Sequence, residues 1–226
     1  GSIWANCMWL KGVVMKAHYN GLIPRNPFIQ FHISPNVKER EYLTEDELKA
    51  VMTHEFADSK LAYIRDIFIF ASFTALSFVD IQELTNDNIV EVNGEKWILS
   101  KRHKTKVAFQ VKLLDIPLQI VERYRPMQKD NRIFPGLNYW SICKPLKRMI
   151  RECGITKSIS FHCSRHGFAT LALSKGMPIE SVSRVLGHTN IVTTQLYAKI
   201  TTQKLDNDLT MFGDKLSKTF NGITMS

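Results

Sequence analysis

The stretch FHCSRHGFATLALSKGMPIESVSRVLGHTNIVTTQLYAK, running from Phe161 to Lys199, decides how this chain is read. It places His162 and Arg165 three residues apart, with His166 directly after the arginine. His188 follows within Leu186-Gly187-His188, and Tyr197 comes nine residues later. Residues three apart share a helix face, so His162 and Arg165 are expected to point at one target. Imidazoles and a guanidinium converging on a point suit a phosphate, and a nearby phenol is a nucleophile for it. The helix that starts near His162 should end near Gly176. Pro178 opens the next, and Gly187 stops it. Tyr197 then lies on or beside a further short helix.

Working outward, Leu205, Leu209, Phe212 and Leu216 recur at helical steps and predict one apolar stripe on a final helix. That stripe packs either on its own domain or on a neighbouring protomer. Upstream, Thr44 and Glu47 have capping-box spacing and open a helix to about His54. Residues 60–76 (KLAYIRDIFIFASFTAL) are apolar nearly all round, as a helix at the centre of a core would be. Residues 77–84 read as a short helix, with Asp80 three after Ser77. Asn93-Gly94 is a strong hairpin signal between Asn88–Val92 and Lys96–Ser100. A basic run, Lys101-Arg102-His103-Lys104-Thr105-Lys106, leads into a third strand over 107–114. Asp115 is expected to cap a helix through Tyr124, and another helix ends at Gly154. The expected fold class is mainly α with a small antiparallel β-sheet.

The motifs His162-x-x-Arg165-His166-x-Phe168-Ala169-Thr170, Leu186-Gly187-His188 and Tyr197, in that order, resemble the tyrosine recombinase (lambda-integrase-like) family. The linker and hairpin look like the branch found in integrases of Bacteroides-type mobile elements. The resemblance spans about Arg40 to Lys199. It implies a catalytic domain with a DNA breaking–rejoining fold, in which Tyr197 attacks a DNA phosphate and holds the 3′ end as a phosphotyrosine. Arg165 would offer a fork to the phosphate oxygens. His162 would accept the tyrosine proton or hydrogen-bond the phosphate, and His188 would donate to a non-bridging oxygen. Lys104 matches the family's hairpin lysine, the acid for the leaving oxygen, with Lys101 and Lys106 as lesser substitutes or DNA contacts.

The chain departs from the family at one point. Where the pattern is Thr-Gly-Leu-Arg, this chain has Thr74-Ala75-Leu76-Ser77, so Ser77 stands where the arginine would be. Asp80 keeps the family's bracing acidic position. Strand alternation puts residues two apart on one side, so Arg102, two before Lys104, is the expected substitute guanidinium, or else a DNA-backbone contact. The alternation argument holds only if the chain is extended there. Two alternatives to the recombinase reading stay open: a type IB topoisomerase-like nicking–closing enzyme, and a DNA-binding family member that has lost cleavage.

Composition agrees with a nucleic-acid partner. The chain has 226 residues, 44% of them hydrophobic, and a net charge of +9, which favours a polyanion. Cys7, Cys143, Cys153 and Cys163 form no Cys-x-x-Cys pair and no zinc spacing, and read as free thiols of a cytoplasmic, bacterial protein. No cofactor or metal is expected, since no Asp/Glu cluster offers oxygen ligands. No run of eighteen apolar residues predicts a membrane span. Gly1-Ser2 looks like a cloning scar. Residues 1–36 are expected to be one helix plus a two-proline linker, the remnant of a helical core-binding domain. Residues 37–226 then form the catalytic domain. Expected partners are double-stranded DNA, other protomers in a tetramer, and accessory DNA-bending proteins of the host or element.

Overall fold

The computed structural model describes residues 2–34, 41–103, 106–128, 130–197 and 202–219. It divides into two compact units, Gly1–Arg40 and Glu41–Ser226, a boundary slightly beyond the one expected at residue 36.

The first unit is built on α1 (Ser2–Tyr19). Gly21, at φ 72°, turns the chain back. The returning segment is held by Trp4 Nε1 donating to the Ile33 carbonyl at 3.2 Å and Lys11 Nζ donating to that of Phe31 at 3.1 Å.

In the second unit, among the described residues, helices pack around one central helix, and α8 (Ile179–Leu186) packs on a small sheet. α2 (Glu45–Thr53) begins with the expected capping box between Thr44 and Glu47. α3 (Ser59–Thr74) is the central helix. Phe68 and Phe70 are fully buried on it, and it packs on α2, α5 (Asp115–Tyr124), α6 (Tyr139–Glu152) and α7 (His162–Ser174). This follows from its sequence, because a helix apolar on all sides finds no face to offer water. Its one buried acid, Asp66, accepts hydrogen bonds from Arg65 Nε, Arg123 Nη1 and Tyr124 Oη at 2.7–2.9 Å. A buried carboxylate persists only when satisfied in this way. Asp115 does not cap α5. Leu114 occupies the cap position, and Asp115 sits in the first turn, where a negative charge still complements the helix dipole.

α4 (Phe78–Gln82) follows α3 after a sharp turn. The hairpin forms as expected from β1 (Ile89–Val92) and β2 (Glu95–Lys101), with Asn93 and Gly94 both at positive φ. β3 (Ala108–Lys112) completes an antiparallel sheet in the order β1-β2-β3, with Lys101 opposite Ala108 at its end. α8 (Ile179–Leu186) stops at Gly187 in the left-handed region, φ 62°. The four-residue α9 (Val192–Gln195) and the long α10 (Thr202–Thr219) close the described chain. None of the described helices is long and apolar enough to cross a membrane.

Candidate active site

The site assembles at the C-terminal end of α8. The last carbonyls of a helix have no partner within it, and here two consecutive ones hold two guanidiniums. Arg102 Nη2 donates to the Val185 carbonyl at 2.6 Å. Arg165 Nη2 donates to the Leu186 carbonyl, and Arg165 Nη1 to that of Ala75 at 2.9 Å. Ala75 caps α3 in the left-handed conformation, φ 56°. The turn between α3 and α4 thus supplies the second anchor for Arg165.

Ser77 does not leave a gap. It is the N-cap of α4 and forms a capping box with Asp80, and its hydroxyl donates to Asp80 Oδ2 at 2.8 Å. The same Oδ2 accepts from Arg102 Nη1 at 2.7 Å, and Oδ1 accepts from the backbone N–H of His103 at 3.1 Å. Burial opposes charge on Asp80, but the His103 N–H, Arg102 and Ser77 together hold its carboxyl below the usual range. The Arg102 guanidinium lies over the Phe109 ring, 4.0 Å from its centroid. Burial lowers the pKa of Arg102 while Asp80 supports its charge. Its Nε is a buried donor without a hydrogen-bond partner.

Arg102 therefore reaches the cluster, but not for the reason that alternation suggested. The strand ends at Lys101, and a turn begins at once. Arg102 N–H donates to the Val107 carbonyl at 2.8 Å, and Lys106 N–H to the Arg102 carbonyl at 2.9 Å. With the chain folded back there, the same-side rule does not apply. Arg102 is directed by Asp80, Val185 and Phe109 instead. Gly187 makes room for it: a Cβ at that position would come within 2.9 Å of Arg102 Nε and 3.0 Å of its Cγ. Lys101 and Lys106 are exposed at the two sides of the turn. Lys104 lies outside the described residues.

Arg165 is buried, and its pKa is pushed down to about 10, first by burial and then by the positive charge of Arg102, against the opposing effects of Tyr197 and Asp80. It stays charged at neutral pH. His188 is pushed down to about 4 by burial and by Arg165, Arg102 and His162, so it is neutral at that pH. Its Nδ1 is 2.8 Å from Thr194 Oγ1.

His162 opens α7 and is exposed. Its ring meets that of His166 edge-on, with centroids 4.6 Å apart, and His166 in turn lies 5.2 Å from the Tyr197 ring. His166, one turn along α7 from His162, is thus part of the cluster. Thr194 is a participant the sequence did not single out. An apolar cavity of about 250 Å³ between α2, α3 and α7, lined by Leu48, Phe68 and Leu171, shares none of the cluster's residues.

The Phage integrase family model matches residues 41–204, most of the chain and all of this site. The chain belongs to the phage integrase family. Within it, the chain is 32% identical over 177 residues to tyrosine recombinase XerA of Pyrococcus horikoshii, covering 72% of this chain and 58% of that protein. It is 26% identical over 204 residues to tyrosine recombinase XerD of Listeria innocua, covering 83% of this chain and 67% of that protein. The chain thus spans little more than half the length of the XerA relative. Its fold matches the Tn1549 transposon integrase, solved in complex with a circular intermediate DNA, at a TM-score of 0.75 and 18% identity, over 89% of this chain and 76% of the other. It also matches a lambda integrase dimer bound to a core site, at a TM-score of 0.66 and 18% identity, over 83% and 56% of the two chains. The mostly helical fold with its three-stranded antiparallel sheet is that of integrase-family catalytic domains.

Proposed function

We propose that this chain carries the catalytic domain of a site-specific DNA recombinase, an integrase that inserts or excises a mobile element by cutting and rejoining double-stranded DNA. The observation that carries the reading is the pair of buried guanidiniums on consecutive carbonyls at the end of α8, next to His188 and Tyr197. A pentavalent phosphorus with two developing negative oxygens calls for such preorganised donors. A second guanidinium beside Arg165 favours an enzyme over a cleavage-dead DNA binder, despite Ser77.

In this mechanism Tyr197 Oη attacks phosphorus while the bond to the 5′ oxygen breaks. The phenolic proton passes to His162, with His166 holding the tyrosine ring. Neutral His188 donates to a non-bridging oxygen, and Arg165 and Arg102 neutralise the phosphate. Lys104 protonates the leaving 5′ oxygen, and Lys101 and Lys106 contact the DNA backbone. A free phenol is ionised to only about one part in a thousand at pH 7, a deficit of about 4 kcal/mol that the base and cations must offset. The phosphotyrosine conserves the bond energy, so rejoining is the same step in reverse, with no cofactor required.

Residues 1–36 are, in this reading, the end of a helical core-binding domain with its linker, and the recombinase acts as a tetramer on DNA with accessory DNA-bending proteins. The test is covalent capture. On a nicked suicide duplex the protein should form a denaturant-stable adduct that Tyr197→Phe abolishes while retaining DNA binding. An adduct with the Phe variant would refute the assignment. Supercoil relaxation without strand exchange would point to a topoisomerase-like activity instead.

A further inference from the structure

Thr194 touches both the His188 imidazole and the backbone of Tyr197. It is fully buried, at 0% exposure. Its side-chain oxygen lies 2.8 Å from His188 Nδ1, and its carbonyl accepts the backbone N–H of Tyr197 at 3.0 Å. A threonine hydroxyl carries one proton and two lone pairs, and buried donors are almost always satisfied. Among the described residues, His188 Nδ1 is the only hydrogen-bond partner of this hydroxyl. Were the imidazole to donate, the hydroxyl proton would be buried without an acceptor. The bond therefore runs from Oγ1–H to the Nδ1 lone pair.

We infer that Thr194 is a positioning residue that sets the tautomer of His188, keeping the single proton of its neutral imidazole on Nε2 as a hydrogen-bond donor, and ties that imidazole to the segment carrying the nucleophile. The low basicity of His188 agrees with this, because burial and the surrounding cations leave one ring proton to place at neutral pH. A ring whose tautomer is fixed by a partner on its other nitrogen presents a donor without reorganisation at the moment of reaction. Threonine suits the position because Thr194 is the buried residue of α9, between exposed Thr193 and Gln195.

The inference rests on the assignment of His188 and Tyr197 to the reaction, and the experiment separates the two. Single-turnover adduct formation on suicide DNA, DNA affinity, and imidazole ¹⁵N NMR would be measured for Thr194→Val, Thr194→Ala and Thr194→Ser. Loss of the hydroxyl in the Val and Ala variants is expected to slow cleavage by about 10- to 100-fold, the scale for losing a group that orients a catalytic ligand, with DNA affinity within about twofold. Thr194→Ser should cleave within about threefold of the wild type, since it keeps the hydroxyl. The NMR spectra should show Nε2–H in the wild type and Ser variant, and a mixture of tautomers without the hydroxyl. In a His188→Ala background, Thr194→Val should add little further loss. Wild-type cleavage by Thr194→Val, a Ser variant as slow as Val, or Nδ1–H in the wild type would each overturn the inference. If His188→Ala itself cleaves at the wild-type rate, the assignment of the site falls, and this inference with it.

Discussion

The end of α8 and the face of α10 treat their side chains in opposite ways. At the end of α8 two arginines, the least expected residues for an interior, are buried and hydrogen-bonded by parts of the same chain. On α10 the residues most expected to be inside, Leu205, Leu209, Phe212 and Leu216, are exposed, Leu209 by 59%. The contrast separates what one chain completes for itself from what it offers to others. Burying a charge costs several kcal/mol unless it is paired, so the arginine cluster must be finished in cis before DNA arrives. An apolar stripe left in water gains free energy when covered, and we propose a neighbouring protomer as what covers α10.

The largest expected effect tests the cis side. Arg102→Ala should slow covalent cleavage by a factor on the order of 10²–10³, the scale of losing one key donor. Because Asp80 would lose its buried partner, the variant should also melt at a lower temperature. Ser77→Arg should restore part of the cleavage. Cleavage of suicide DNA by Arg102→Ala at the wild-type rate would remove Arg102 from the site.

A second test leaves both arginines in place and disturbs only their packing. Gly187→Ala forces a Cβ onto Arg102 and a side chain onto a backbone at φ 62°. It should cost about 1–3 kcal/mol of stability and slow cleavage, as read by chemical denaturation and adduct formation. An unperturbed variant would mean that Arg102 is not held where it is described.

The comparison sharpens on α10. Replacing Leu209 and Phe212 with serine should change stability by no more than about 0.5 kcal/mol each, as for exposed positions. Assembly on DNA, measured by native gel or ultracentrifugation, should weaken clearly. A large fall in melting temperature with unchanged assembly would show that the stripe is covered in cis.

The smallest effect is that of pH. His188 has a folded pKa near 4, below the ordinary histidine value near 6.5. Between these values the unfolded chain binds the proton and the folded one does not, so stability falls as pH drops through that window. Melting temperatures should decline on acidification from about pH 6.5 to 4, and less steeply in His188→Asn. Asp80 adds a loss in the same direction at lower pH, because its folded pKa is depressed and its stabilisation disappears on protonation. A pH-independent melting curve would contradict the half-buried, neutral state of His188.

Much of this was legible in the sequence. The helix of residues 60–76 had no polar face, so only a core position was open to it. Asn93-Gly94 fixed the hairpin because both residues tolerate positive φ. The capping box at Thr44 and the stop at Gly187 are local geometry, decided within a few residues. The order His162, Arg165, His188, Tyr197 carried the resemblance to the family whose model matches residues 41–204.

What the sequence could not decide is what one segment does to another far along the chain. Ser77 looked like a missing arginine, yet it caps α4 and hydrogen-bonds Asp80, while the second guanidinium comes from Arg102. Nothing local marks Arg102 for that place. Strand alternation even gave the wrong reason, because the chain turns directly after β2. His166 follows Arg165 in the motif, but its contact with the Tyr197 ring comes from the fold. Thr194 looked like one of several threonines until its hydroxyl met His188. Local patterns report propensity and periodicity, which depend on neighbours in sequence. The direction of a buried donor depends on which carbonyls and carboxylates the fold leaves unpaired nearby, and only the tertiary structure sets that.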